Sequence, residues 1–297
     1  MQQSLITTLF LPVSLFIIMF GLGLALQTDD FKRIFTYPKA IFIGLTNQMI
    51  LLPVIGYGIA SFMNLGPELA VGIMILAACP GGVTSNLYTH LSNGDTALSV
   101  TLTAISSTIS IITIPLIINF GLNQFMGDGQ EIHLPVVKTI VQIMAITIVP
   151  ILLGMLVRAK KPRIALRLGK TVKVASAIIL FIIVLGLIWN EREQMPGFFR
   201  QVGIAVGLLN VITMFIGFYS AKLARLSLPQ SITIALESGL QNGTLGIVIS
   251  ISILANAGMS IPAAVYSLIM FATGGIMIWR FGRNKSVKTT KPQTTIL

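Results

Sequence analysis

Nine predominantly apolar stretches succeed one another along the chain, and this rhythm constrains the fold more than any motif. About 20 apolar residues is the length of an α-helix that crosses the ~30 Å hydrocarbon core of a bilayer. The stretches run over residues 5–26, 40–62, 69–91, 96–122, 135–157, 172–189, 202–221, 231–254 and 261–281, helices one to nine below. Inside a bilayer every backbone N–H and C=O must find its partner within the protein, so stretches of this kind are helices. Only 10% of the 297 residues are charged against 54% hydrophobic, where a soluble domain carries about 25% charged residues. The expected fold is therefore an all-α polytopic membrane protein with about nine transmembrane helices and no separate soluble domain. The first stretch has no Lys or Arg ahead of it and no clear small-residue cleavage site after it, so it reads as a retained span rather than a secretory signal. Cys79 is the only cysteine, which excludes an intramolecular disulfide and a thiolate metal cluster.

The net charge of +11 would raise nucleic acid as a partner if it were concentrated in a soluble patch, but its distribution points elsewhere. When the connections are assigned alternately to the two membrane faces, all of the 20 basic residues except Lys138, Arg192 and Arg200 fall on one face. The opposite face carries those three together with Glu68, Asp128, Glu131, Glu191 and Glu193. The positive-inside rule then puts the N-terminus outside and the C-terminus in the cytoplasm of a cell membrane, as in a bacterial inner membrane. The charge thus reflects topology and an attraction to the lipid bilayer, not a nucleic-acid partner. Residues 283–297 read as a basic cytoplasmic tail, and the charged stretch between helices five and six as the longest loop.

Two spans differ chemically from the rest. Helix three is interrupted by CPGGVTSN, residues 79–86, and helix eight by ESGLQNGTLG, residues 237–246. Proline removes a backbone donor and glycine weakens a helix interior, so both segments are expected to unwind within the membrane. The two spans run in opposite directions, and each is followed by one last helix in its half. That placement predicts an inverted repeat of four plus five helices, with the two discontinuous helices crossing at the midplane.

Glu237 is the one acidic residue of nine that falls inside a span. An ionisable group at the membrane centre costs about 2.5–3.5 kcal/mol on insertion scales and marks an ion path or a proton relay. The alternative is a carboxyl kept protonated between helices. Ser238, Gln241, Asn242 and Thr244 follow on the same segment, and Thr84, Ser85 and Asn86 occupy the other interruption. Ser99 and Thr103 in helix four are four residues apart and share a helix face, and Gln48 adds an amide in helix two. Neutral oxygens gathered around one carboxylate suit a hard, dehydrated cation such as sodium. For Ser99 and Thr103 alone, bonding to the helix backbone is an equally good account. After Gly81 and Gly82 a new helix N-terminus near Val83 offers unpaired N–H groups to an anion, while the same glycines also permit close helix crossing.

In order along the chain, MFGLGLALQTDDF, NQMILLP, CPGGVTSN, NGDTALSVTLT and ESGLQNGTLG resemble the bile acid:sodium symporter family, and the likeness runs from helix one to helix nine. The resemblance implies a panel subdomain, about 1–39 and 135–200, and a core subdomain, about 40–122 and 201–281. It implies one sodium ion held by Ser85, Asn86, Ser99, Thr103 and Glu237. A second would be held by Gln48, Glu237 and Gln241 with backbone oxygens of Ser238 and Leu240. Val83, Thr84 and Asn242 would face an organic anion, of the bile acid or small pantoate- or keto-acid-like carboxylate class. Three departures are visible. The chain begins at what corresponds to the second helix of ten-helix members. Val83 stands where relatives often carry threonine, and Met270 and Phe271 stand where some bacterial relatives place His and Asn.

The expected function is sodium-coupled symport of an organic anion by alternating access. A proton on Glu237 in place of sodium, and a non-transporting anion sensor, are the alternatives. An enzyme is not indicated. The sequence has no HExxH motif, no cysteine pair and no GxxxxGK[ST] loop, and His90 and His133 fall near the membrane faces.

Overall fold

Long apolar runs of Ile, Leu and Val without strand-like alternation wind into helices, with proline starting several of them. The computed structural model describes residues 10–127, 135–190 and 195–282. Among these residues helix one spans Leu11–Ala25, followed by a short helix at Thr28–Lys32. Helix two runs Pro38–Phe62 through a π-helical turn at Asn47–Leu51. Helix three has two halves, Pro67–Ala78 and Val83–Leu91. Helix four is Thr96–Phe125, helix five Val136–Lys160, helix six Pro162–Asn190 and helix seven Met195–Leu223. Helix eight is again in two parts, Leu228–Gly239 and Gly243–Ile253, and helix nine is Ile261–Phe281 behind a 3₁₀ turn at Gly258–Ser260. The protein is thus an all-α polytopic membrane protein. Among the described residues five helices are long and apolar enough to cross a bilayer by length and composition alone.

Helices five and six depart most from the expected arrangement. The expected charged loop between them does not exist, because helix five continues to Lys160 and helix six starts at Pro162, leaving Lys161 as the connection. Arg and Lys are good helix formers, so hydropathy marks where a helix leaves the membrane and not where it stops. Arg158 and Lys160 sit in the last turn of helix five, where cations favour the negative end of the helix dipole. Asp30, expected in a loop, is buried and accepts a hydrogen bond from the Gln27 N–H at 2.8 Å, capping the short helix. Residues 5–9, Asp128, Glu131, His133, Glu191, Arg192, Glu193 and the tail 283–297 lie outside the described residues.

Helix one packs chiefly against helix five and then helix six, while helices two, three, four, seven, eight and nine pack mainly on one another. Small residues allow the closest approaches, as membrane helix pairs require. A Cβ on Gly23 would lie 2.1 Å from the Ile151 carbonyl oxygen, and one on Gly154 would lie 2.4 Å from that of Phe20. Helices one and five therefore touch backbone to backbone.

Gly154→Ala is expected to lower the melting temperature of the detergent-purified protein by the equivalent of about 1–3 kcal/mol, the usual cost of overpacking. Gly58→Ala, where nothing lies within 4 Å of the added carbon, is the control and is expected to leave the melting temperature unchanged.

Candidate cation and substrate site

Pro80 has no N–H to continue helix three, and it holds Cys79 before it in an extended conformation (φ −68°, ψ 145°). Gly82 is extended as well, and the helix resumes at Val83. In helix eight the first half ends at Gly239, and Asn242 restarts it by accepting the Leu245 N–H on its side chain at 3.0 Å. The two unwound stretches lie antiparallel against each other. The Gly82 N–H donates to the Leu240 carbonyl and the Asn242 N–H to the Pro80 carbonyl, both at 2.9 Å, on either side of a Gly81–Gln241 bridge.

Both breaks are narrower than the sequence indicates, 79–82 instead of 79–86 and 240–242 instead of 237–246. Glu237 and Ser238 therefore belong to the last turn of a helix, and Ser85 and Asn86 to the first turn of one. Rigid helix ends, not loops, aim these side chains.

The carboxyl of Glu237 is buried and surrounded by hydroxyls. Its Oε1 accepts from Ser85 Oγ and from Ser99 Oγ, each at 2.5 Å, and its Oε2 accepts from Thr103 Oγ1 at 2.9 Å. Each hydroxyl is also close to a second acceptor. Ser85 Oγ is 2.7 Å from the Gly82 carbonyl, Ser99 Oγ 2.7 Å from Asn86 Oδ1, and Thr103 Oγ1 3.0 Å from the Ser99 carbonyl. A hydroxyl has one proton to give. For Ser85 and Thr103 one neighbouring oxygen is therefore left facing the hydroxyl lone pair to lone pair, an arrangement that a positive charge among the oxygens relieves, whereas the Asn86 amide can turn to donate to Ser99.

A second oxygen-rich group adjoins the first. The π-helical turn of helix two carries Gln48, whose Nε2 donates to the Glu237 carbonyl at 3.1 Å, and Gln241 Nε2 donates to the Ser238 carbonyl at 2.8 Å. Gln48 Oε1, Gln241 Oε1 and Ser238 Oγ are buried without a hydrogen-bond partner. Buried polar atoms are rarely left so, and free amide and hydroxyl oxygens are what a hard cation binds. The Leu240 carbonyl accepts one donor, the Gly82 N–H, and keeps a second lone pair. Gly81 separates the two groups: a Cβ there would lie 2.6 Å from Glu237 Oε2 and 2.8 Å from Gln48 Nε2. The predicted residues Gln48, Ser85, Asn86, Ser99, Thr103, Glu237, Ser238, Leu240 and Gln241 are thus gathered around the crossing.

Beside the crossing lies a cleft lined by Val83, Thr84, Leu87, Asn242 and Thr244 with Ile18 of helix one and Ser176 of helix six. Both restarted half-helices present their N-terminal residues to it, where the first N–H groups of a helix have no intrahelical acceptor. Met270 and Phe271 do not line this cleft. Met270 is fully buried and Phe271 stacks on Tyr88 with ring centroids 6.1 Å apart. Ile18 and Ser176 were not foreseen, since a single serine in a lipid-facing helix carries no signal of its own. Also unforeseen are Asn210 and Tyr266, which donate to the Gly239 carbonyl at 2.7 and 2.9 Å. The only trace of them in the sequence is their polarity within otherwise apolar spans.

Crossed half-helices around a buried carboxylate, beside a cleft between helices, form the candidate site of a polytopic membrane protein. The chain belongs to the Sodium Bile acid symporter family, which residues 12–196 match. It is 30% identical to the uncharacterized sodium-dependent transporter YocS of Bacillus subtilis (strain 168), over 90% of this chain and 81% of that one. It is 28% identical to a probable chloroplastic sodium/metabolite cotransporter, BASS2 of Oryza sativa subsp. japonica, over 95% of this chain but 65% of the plant protein. It is 27% identical to the ileal sodium/bile acid cotransporter of Oryctolagus cuniculus, over 80% of this chain and 68% of the rabbit one. These relatives are transporters, and the protein is a transporter rather than an enzyme.

Thr103→Val keeps the shape of the side chain and removes the donor to Glu237 Oε2. It is expected to cost about 1–3 kcal/mol, the penalty for a buried polar group left unpaired, read as a lower melting temperature. Thr108→Val, which removes only a bond to the Ala104 carbonyl of its own helix, is expected to be near neutral.

Proposed function

We propose that the protein is a sodium-coupled symporter of an organic anion. The observation that carries this reading is the shortage of hydroxyl protons around Glu237 together with the free oxygens of Gln48, Gln241 and Ser238 beside it. One sodium ion binds among Ser85, Asn86, Ser99, Thr103 and Glu237. A second binds among Gln48, Glu237 and Gln241 with the backbone oxygens of Ser238 and Leu240. Glu237 is common to both and supplies the one negative charge. A proton on Glu237 would satisfy one opposed oxygen pair and leave the other, and it would do nothing for the amide oxygens. That favours a metal cation over the proton-coupled alternative.

The anion binds in the cleft, where Val83 and Thr84 on one half-helix and Asn242 at the start of the other present N–H groups and an amide. Positive half-helix ends favour a carboxylate or sulfonate. The apolar walls supplied by Ile18, Val83 and Leu87 favour a hydrocarbon body. Bile acids and small pantoate- or keto-acid-like carboxylates are the classes in view, in line with relatives named as bile acid and metabolite cotransporters.

Helices one, five and six form the panel, about 1–39 and 135–200, and the remaining helices form the core, about 40–122 and 201–281. Because the cleft takes Ile18 and Ser176 from the panel and its other walls from the core, movement of one against the other opens it to alternate faces. The protein sits in the cell membrane with its N-terminus outside. Arg158, Lys160, Lys161, Arg163 and Arg167, at the junction of helices five and six, support a cytoplasmic position for that end.

In proteoliposomes an inward sodium gradient is expected to drive accumulation of a bile salt or small keto acid, and potassium is expected not to replace sodium. Glu237→Ala or Gln48→Ala is expected to reduce sodium-driven uptake to background while the protein still inserts. Undiminished accumulation by the unmutated protein in sodium-free buffer would contradict the coupling.

A further inference from the structure

A helix that stops in mid-membrane leaves its last four carbonyls without intrahelical donors. In the first half of helix eight these carbonyls are met one by one. Glu237 O takes the Gln48 amide, Ser238 O takes the Gln241 amide, and Leu240 O takes the Gly82 N–H. Gly239 O is different, because it takes two donors from helices outside the crossing. Asn210 Nδ2 of helix seven donates at 2.7 Å and Tyr266 Oη of helix nine at 2.9 Å. Both side chains are fully buried. Gly239 itself is pinned, since a Cβ there would lie 2.0 Å from Met214 Cγ of helix seven.

We propose that Asn210 and Tyr266 are positioning residues for the second cation site. Their paired bonds turn the Gly239 carbonyl away from the crossing and lock its peptide planes. This fixes the direction of the Ser238 and Leu240 carbonyls on either side. A carbonyl that already accepts two buried donors is not recruited by a cation. Its neighbours, each held by one donor, remain available, and two of the donors at this helix end are glutamine amides whose oxygens are free. The arrangement assigns ligand roles along the backbone: Ser238 and Leu240 toward the ion, Gly239 toward helices seven and nine. It also ties the ion site to those two helices by direct bonds. The broken end of helix three has no such clamp from other helices among the described residues. There the Cys79 N–H and thiol meet the Leu76 and Ile75 carbonyls of the same helix.

This inference rests on the sodium-coupled reading, and the test separates the two. Tyr266→Phe deletes only the hydroxyl, and Asn210→Ala deletes the other donor. Each leaves one bond on Gly239, so the fold persists. The measurement is the sodium concentration that half-maximally stabilises the purified protein against heat, with the sodium-free melting temperature recorded alongside. Each variant is expected to raise the half-saturating sodium concentration about fivefold, the effect of one hydrogen bond, with the double variant higher still. Unchanged half-saturation in both single variants, with only the sodium-free melting temperature lowered, would overturn the positioning role and leave a packing role. Absence of any sodium effect on the unmutated protein would instead defeat the coupling reading itself, before any variant is compared.

Discussion

Two backbone hydrogen bonds, from Gly82 to Leu240 and from Asn242 to Pro80, hold together the only stretches of chain that leave helical geometry deep among the packed core helices of the described structure. Unwound backbone in the hydrocarbon region has no water to bond, and an unsatisfied group there costs several kcal/mol. The breaks in helices three and eight are therefore tolerable because they meet. Everything at the site depends on that meeting. It sets the last turn of one half-helix, bearing Glu237, against the first turn of another, bearing Ser85 and Asn86. It also leaves two half-helix N-termini facing the cleft. Gly81 is the residue that permits this closeness, with Glu237 Oε2 and Gln48 Nε2 lying where any Cβ would go.

Within this frame the charge balance follows from simple counting of donors and acceptors. Glu237 carries the one carboxylate among the gathered groups, and its neighbours are hydroxyls, amides and carbonyls that add oxygens without charge. Such a shell is short of positive charge when empty of ions. A cation entering it neutralises the buried carboxylate and relieves opposed lone pairs in the same step. The crossing joins the polar group around Glu237 and the cleft through one short segment: Gln241 has a buried amide oxygen without a hydrogen-bond partner, and Gln241 and Asn242 also line the cleft. In the proposed symport, order imposed by an ion around Glu237 would reach the cleft through a single peptide unit. That adjacency is the physical basis proposed for coupling.

Much of this was legible in the sequence, for identifiable reasons. The bilayer thickness fixes span length, so the nine apolar runs located the helices. Glu237 stood out because a charge inside a span is costly, and Ser99 with Thr103 because four residues make about one helical turn. Pro80 and Gly81–Gly82 announced the first break correctly, but glycines and polar residues overstated the width of both, since Glu237, Ser238, Ser85 and Asn86 are helical. Hydropathy misread the junction of helices five and six because Arg158, Lys160 and Arg163 continue helices past the apolar zone. Ile18, Ser176, Asn210 and Tyr266 were invisible as site residues. Their importance comes from which helices lie beside the crossing, and packing between distant spans leaves no pattern in a single sequence.

One carboxylate, Glu237, is proposed to serve two cation sites, and equilibrium binding of radioactive sodium to the purified protein at fixed pH counts the ions it holds. Saturable binding of two ions per chain is expected, with both lost together in Glu237→Ala while the variant remains folded. Retention of either ion by that variant, or a stoichiometry unaffected by the substitution, would contradict that shared role.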